Sequence, residues 1–362
     1  MFVLAFIHLM KRYLVIITVF VSGLILTAQR YANEFLYIGT DAMGMSLGGN
    51  NTAMVQGGQS VGWNPAGLVS TSRPALSLMH AAYFGSLAMV DYIGYARPVN
   101  DQAVFSVSML RFGVDNIMNT TQLIDENGNV DYSRIRYFSA ADYALFLSYA
   151  RRNWIKGLNI GINAKVVYRH IGDFAQGVGL GFDAGAQYAY KDWLFGLIVR
   201  DVTTTYTHWQ FNQERLDDIA RALDGYNQSP PVKSEFSIPS VQWGVGRKWS
   251  FKNKYTLTAE LDFKNYFYQR HALLQTQVWS VEPGLSLQGS YKEKVFLRLG
   301  LSELYKTVYF GVPVWYMKPS AGIGLKLKHL SVDYAFTTFT GSSLYSHIFS
   351  INLDLRIFKK KP

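Results

Sequence analysis

The chain has 362 residues, 49% of them apolar, with a mean hydropathy of only +0.03 and a formal net charge of +10. Length alone admits two soluble domains, but β-barrels use chains of this size as one unit. Past residue 26 no stretch stays apolar for the roughly 20 residues a spanning helix needs, which excludes a polytopic helical membrane protein. The lack of cysteine excludes disulfide frameworks, thiolate zinc sites, a cysteine nucleophile and a lipid-anchoring cysteine.

At the N-terminus, Lys11 and Arg12 precede an apolar run from Tyr13 to Leu26 and then Thr27-Ala28. A positive region, a short apolar core and a small residue at the cleavage point make residues 1–28 a secretory signal peptide, with the mature chain beginning near Gln29. The apolar stretch Phe2–Leu9 is out of place there and points to Met10 as the start of translation. The other reading, a retained helical anchor, rests on a run that is short for a span. Export is the expectation.

Residues 39–68 read GTDAMGMSLGGNNTAMVQGGQSVGWNPAGL. This stretch is too polar to span a membrane and too glycine-rich for a long helix, so residues 29–73 are expected to fold as a hatch against or inside a barrel. From about Pro74 to residue 358 the chain alternates with period two. In one segment Leu158, Ile160, Ile162, Ala164, Val166 and Tyr168 share a face; Asn159, Gly161, Asn163, Lys165 and Arg169 share the other. The same pattern fills Tyr255–Lys264, Leu285–Lys292, Ser320–Lys328, Leu330–Thr337 and His347–Ile357. Runs of roughly 10 alternating residues are the weak signal of one spanning strand, and about 14 of them predict an all-β, antiparallel outer-membrane barrel. Residues 359–362 are a basic tail.

Alternation leaves open which face meets solvent. Export, a charged opposite face rich in Gly, Ser, Asn and Thr, aromatics at strand ends (Trp154, Tyr188, Tyr190, Trp193, Trp249, Tyr291) and the terminal Phe358 favour lipid outside and a polar lumen. Connection lengths alternate as well. Short turns lie near Pro98–Asp101, Arg151–Gly157, Lys191–Trp193, Trp249–Lys254, Lys292–Lys294 and Lys328–Leu330. Longer loops are expected at Gly113–Phe138, Asp201–Ser237, Asn265–Gln277, Glu303–Met317 and Phe339–Ser346, with short exceptions at Gly85–Ser86 and His170–Ala175. Short periplasmic turns and long external loops are how such barrels are built. Charge follows the split: the short-turn end carries Arg151, Lys156, Lys191, Arg247, Lys252, Lys292, Lys326 and their neighbours, while the two longest loops lean acidic. A basic rim suits anionic lipid headgroups; an acidic periplasmic partner is the other reading. Within the longest loop, Asn212–Gly225 has helical spacing, with Asn212 as cap and Leu216, Ile219, Ala220 and Leu223 on one face. It either packs over the barrel mouth or forms a contact for cargo.

No enzyme is indicated. Gly177-Val178-Gly179-Leu180-Gly181 lacks the strand-to-helix context of a phosphate loop and continues as a strand. The seven histidines show no ligand spacing, so neither a metal nor a cofactor is expected, and a basic excess alone is a weak sign of nucleic acid. Glu260 and Asp262 share a strand face; with Lys165, Arg298, Lys326 and Arg356 also inward, ion pairing in the lumen is expected for them.

The glycine-rich stretch, Asp41-Ala42-Met43-Gly44-Met45-Ser46-Leu47-Gly48-Gly49, and the motif Trp63-Asn64-Pro65-Ala66-Gly67-Leu68 resemble the hatch of FadL-like barrels, in particular the PorV/PorQ branch of type IX secretion proteins. Ser331–Phe336, Ser346-His347 and Phe349-Ser350 resemble that family's last hairpin. The resemblance covers both ends and marks Gly39, Gly44, Gly48, Gly49, Trp63, Asn64, Pro65, Ala66 and Gly67 as the hatch motif. Gln56-Gly57-Gly58-Gln59 departs from hatches that carry acidic residues there. The resemblance implies a plugged outer-membrane barrel that takes secreted cargo, through the cargo's C-terminal signal domain, from the type IX translocon barrel to the attachment or sortase complex. Its alternative is a FadL-like transporter of hydrophobic small molecules, which an apolar pocket beside Asn64-Pro65-Ala66 would favour. A third reading is a purely structural barrel that braces a larger assembly.

Overall fold

The computed structural model describes residues 33–124, 128–222, 233–338 and 344–355. The expected signal peptide, Leu223, Arg356, Phe358 and the basic tail lie outside them. Seventeen strand segments form one antiparallel sheet: β1 (Ala75–Tyr83), β2 (Ala88–Asn100), β3 (Ala103–Asn119), β4 (Arg136–Ile155), β5 (Leu158–Ile171), β6 (Ala175–Tyr190), β7 (Trp193–Arg200), β8 (Thr205–Phe211), β9 (Ser234–Ser237), β10 (Ser240–Phe251), β11 (Tyr255–Tyr266), β12 (Leu274–Gln275), β13 (Ser280–Tyr291), β14 (Val295–Tyr309), β15 (Val312–Lys326), β16 (Leu330–Thr338) and β17 (Tyr345–Asp354). β7 and β8 both pair with β6, in successive registers, and Val202 N–H bridges the gap to Phe182 O at 2.8 Å. They are one wall strand interrupted at 201–204. β9 and β10 are likewise one strand interrupted at 238–239, and β12 is a two-residue piece against β13. The wall therefore has 14 strands, and β1 closes on β17 from Ala75↔Asp354 to Ala82↔His347. Closure leaves no free wall edge, as a spanning sheet requires.

The faces divide as the alternation predicts. Outward Leu180 and Leu297 are 61% and 65% exposed, whereas inward Lys165 and Asp262 are 2% and 0% exposed. A soluble β-protein would bury the leucines and expose the charges; only a lipid surround makes this arrangement favourable. Turns at one rim are tight. In Lys252-Asn253 and Lys292-Glu293 both residues are left-handed, the two-residue geometry that matches strand twist. Expected loops give way in part to strand, as β8 and β9 already show within Asp201–Ser237. β14 and β15 continue through Glu303–Met317 to a turn at Phe310-Gly311, forming an arm beyond the wall, and β3 and β4 shorten the loop after Gly113 to 120–135. The β-branched and aromatic residues Val308, Val312, Val314, Trp315 and Tyr316 favour strand. A left-handed Glu303 and the register shift beside it break the alternation that would have revealed the arm.

Residues 33–73 fill the lumen with one short α-helical turn, Ala42–Ser46, and the 3₁₀ turns Glu34–Tyr37, Gly58–Gly62 and Pro65–Ser70. The interior they meet has two halves. Facing β1–β5, β16 and β17, the hatch residues Phe35, Met45, Val55, Val61, Leu68 and Val69 pack on Val90, Leu110, Phe146, Val167, Ala335 and Ile348. Facing β5–β15, the contacts are polar. The apolar half holds the hatch by burial, at about 25 cal/mol per Å² of apolar surface; the polar half sets its position.

Candidate functional site: the seated hatch

Trp63 is the hatch's own centre. Its indole N–H donates to Asp41 Oδ1 at 2.7 Å, and Gly44 N–H reaches the same oxygen at 3.0 Å, so Asp41 caps the turn 42–46 and holds the ring. The ring lies against Gly39 and Gly44, where an added Cβ would come within 2.4 and 2.3 Å of it, and Gly49 approaches at 3.0 Å. Those glycines make the slot that Trp63 occupies. Asp41 Oδ2 is buried and accepts no hydrogen bond among the described residues. Burial pushes this carboxyl up to about 7, against the opposing pull of its bonds to Trp63 and Gly44.

Asn64 ties hatch to wall. Its Nδ2 donates to Thr52 O at 2.9 Å, Ala186 O at 3.1 Å and Leu197 O at 3.3 Å, while Oδ1 accepts from Ala66 N–H at 3.1 Å. Pro65 opens the following turn and supplies its preset φ. Ala66 is fully buried, and an added Cβ at Gly67 would lie 2.5 Å from Val55 O. Gly48 is left-handed and ends the first turn beside Ser302 of β14.

β11 supplies the strongest grip. Glu260 accepts from Ala53 N–H at 2.6 Å and Met54 N–H at 2.9 Å; Asp262 accepts from Thr52 N–H at 3.3 Å and Thr52 Oγ1 at 2.6 Å. Gln242 donates to Asp262 at 2.7 Å and to Gly49 O at 2.9 Å, and Gln187 to the carbonyls of Thr52 and Val55, each at 3.0 Å. The expectation that Glu260 and Asp262 pair with lumenal cations is thereby corrected: three consecutive hatch amides are their partners, being the groups within reach. Lys165 instead pairs with Asp183 (2.6 Å) and Asp201 (2.7 Å), and Arg298 with Asp333 (2.7 Å). Lys326 is exposed at the rim. Thr205 Oγ1 donates to Asp201, which pins the interruption between β7 and β8 to this buried cluster.

Wall glycines complete the seat, and sequence reading did not single them out as a set. Gly161, Gly196 and Gly300 face the hatch so closely that a Cβ would lie 2.3, 2.4 and 2.1 Å from the backbone carbons of Pro65, Thr52 and Leu47. Their signal was available: glycines recurring on the polar face of successive strands, at positions where backbone meets backbone.

Between the hatch and the loop-side mouth lies a cavity of about 60 Å³ whose lining includes Tyr37, Trp63, Lys264, Tyr266, Arg270 and Lys318. Beside Asn64-Pro65-Ala66 the packing is close, with Gly161 and Gly185 set against Asn64, Pro65 and Ala66 and the Asn64 bonds tying the segment to the wall. In the long loop, α1 (Gln213–Ala222) carries Leu216 and Ile219, and Asn212 accepts from Arg215 N–H at 3.4 Å. Leu216 is half-buried. Among the described residues no group of three His, Cys, Asp or Glu is placed to hold a metal.

No protein-family model matches the chain, and no curated protein matches it. Solved structures do. The chain is similar to the monoaromatic hydrocarbon channel CymD, with a TM-score of 0.55 and 11% identity over 88% of this chain and 98% of that one. It is similar to the toluene transporter TbuX of Ralstonia pickettii, at 0.54 and 12% over 88% and 99%. The toluene transporter TodX of Pseudomonas putida follows at 0.51 and 12%, over 87% and 96%. The fold is that of the FadL-like outer-membrane barrels. At this identity the likeness concerns fold alone, and nothing in it points to the PorV/PorQ branch.

Proposed function

We propose that the chain is a hatch-gated outer-membrane barrel that passes apolar small molecules. The observation that carries this reading is the apolar seam between the hatch and β1–β5. It runs from Leu68 and Val69, near the short-turn rim where Arg152 holds Val69 O, up to Phe84, Phe112 and Val114 at the loop side. While the hatch is seated this strip holds it by burial; with the hatch displaced, the same side chains offer a mainly apolar path, broken by the hydroxyls of Ser77, Ser106, Ser108 and Ser148, along one side of an otherwise polar lumen. The hydrocarbon and toluene channels of the same fold support the same choice of solute. Movement of the hatch away from β1–β5 would open the strip, while the β11 grip keeps the hatch attached on the other side. The test is entry of radiolabelled toluene into vesicles with and without the barrel, beside the variant Leu110→Asp, which puts a charge in the strip. Entry is expected to rise with the barrel and fall back in the variant. Toluene entry independent of the barrel refutes the proposal.

A second reading, the type IX secretion role implied by the hatch motifs, draws on a different observation. The hatch is clamped on its polar side and the cavity above it is small, at about 60 Å³, as suits a sealed barrel whose outer mouth and loops receive cargo. Deletion of the gene is then expected to strip proteins with a C-terminal signal domain from the cell surface. An unchanged surface proteome defeats this reading and leaves the first intact.

A further inference from the structure

The short-turn rim carries more than an excess of charge. Along the arc from the β4–β5 turn to the β13–β14 turn, cations are laid flat on rings. Arg151 lies over Trp154 (5.7 Å to the ring centre), Lys191 over Tyr190 (5.4 Å), Arg247 between Trp193 (5.1 Å) and Trp249 (5.5 Å), and Lys292 over Tyr291 (5.3 Å). Tyr190, Trp193, Trp249 and Tyr291 all fall on the outward, lipid-facing parity of their strands. Each cation is thus held sideways at the lower edge of the apolar band rather than pointing along the barrel axis.

Turn chemistry shows that the lysines are placed against backbone preference. Lys191, Lys252 and Lys292 have φ of +54°, +48° and +52°. Glycine and asparagine adopt this left-handed conformation readily, and lysine does so only at a cost. The same choice is made at three successive turns of this arc, and the one acid of these turns that shares the conformation, Glu293, is paired with Lys248. The acids of the arc are few: Glu293 is taken up by Lys248 at 3.5 Å, and Asp192 stands in the turn beside Lys191. Exposed lysines continue at the next turn, β15–β16, with Lys326 and Lys328, and the pattern stops beyond it. The β2–β3 turn holds Asp101 and no lysine, and Arg73 beside the β1–β17 closure is paired with Asp354 at 3.0 Å.

We propose that this arc is a binding belt for anionic phospholipid headgroups of the periplasmic leaflet. Rings at the interface and cations stacked on them reach the level of lipid phosphates, not that of a soluble protein below the rim. A zwitterionic headgroup brings its own amine to each phosphate, whereas a phosphatidylglycerol leaves the phosphate to the arc. The belt makes one sector of the barrel prefer anionic lipid and gives the molecule a fixed face toward it.

The folded full-length mature protein, reconstituted in phosphatidylcholine vesicles, tests this with spin-labelled phosphatidylglycerol and spin-labelled phosphatidylcholine. The motionally restricted fraction of each probe gives the relative association. Phosphatidylglycerol is expected to associate about threefold to fivefold more strongly at low salt. The triple variant Lys191→Asn, Lys252→Asn, Lys292→Asn, whose asparagines suit the turns, should bring the ratio close to one. Lys306→Asn, which removes a cation over Trp315 on the outer arm, should leave it unchanged. Arg247→Gln, a single exposed strand position, should lower the ratio and serves if the triple variant does not fold. Equal association of both probes with the wild-type protein overturns the proposal, and so does a preference that survives in the folded variants.

Discussion

Replacing Glu260 by alanine is the sharpest probe of how the hatch is held. Glu260 is 1% exposed and is the recorded acceptor for Ala53 N–H and Met54 N–H. Removing it orphans two buried amides, at about 1–3 kcal/mol each. Relief of repulsion with Asp262 offsets part of that loss. Glu260→Gln separates the two effects: it removes the charge, keeps one oxygen for one amide, and turns an NH₂ toward the other. The expected order of hatch stability is wild type, then Gln, then Ala, with the alanine variant lowered by about 2–6 kcal/mol in the local opening energy. Hydrogen exchange of the segment 52–54, followed by mass spectrometry on the folded barrel, reads this directly. At about 1.4 kcal/mol per tenfold, exchange there should quicken by roughly thirtyfold or more in the alanine variant, while wall amides of β3–β5 stay protected. Unchanged exchange at 52–54 would show that the carboxylate is not what holds the hatch.

Three further outcomes follow from the same contacts. Gly300→Val drives a branched side chain into the Leu47 carbonyl carbon, costs about 1–3 kcal/mol of strain and should unseat the hatch, seen as raised conductance in planar bilayers; unchanged conductance contradicts the glycine seat. Lys165→Met leaves Asp183 and Asp201 buried without their cation, and should lower resistance to denaturant by about 3–5 kcal/mol; an unshifted midpoint contradicts it. Asp41 sets a pH dependence. Its carboxyl is raised from an ordinary 3.8 to about 7 in the folded hatch, so the seated state favours the protonated form. Stability from this group is full below about pH 4 and declines as pH rises toward about 7, beyond which it is flat. Thermal melts of wild type and Asp41→Asn should therefore differ in slope between those values, with the variant the flatter, and parallel curves refute the assignment.

The wall was legible in the sequence because period two is a property of each strand alone, and Leu158–Arg169 shows it without help from any neighbour. Trp63, Asn64 and the hatch glycines were legible as a segment unfit for strand or helix. What each of them touches was not. Glu260 and Asp262 looked like ordinary lumenal charges, since the identity of a carboxylate's partner depends on which backbone folds back to it from some 200 positions away. The arm formed by β14 and β15 was hidden for a local reason: a left-handed Glu303 and Pro313 and Pro319 interrupt the alternation. Gly161, Gly196 and Gly300 were visible one at a time, and only the closed ring shows that they serve a common purpose.

Close approach of the wall to the hatch on several strands at once has a consequence for assembly. At Gly161, Gly196 and Gly300 there is no slack for a methyl group, so wall and hatch fit only with both backbones in their final places. The hatch joins directly onto β1, the strand that meets β17 last along the ring. A hatch already in place would serve as the mandrel for that closure, and a chain whose hatch arrives late is expected to stall with the final pairing open.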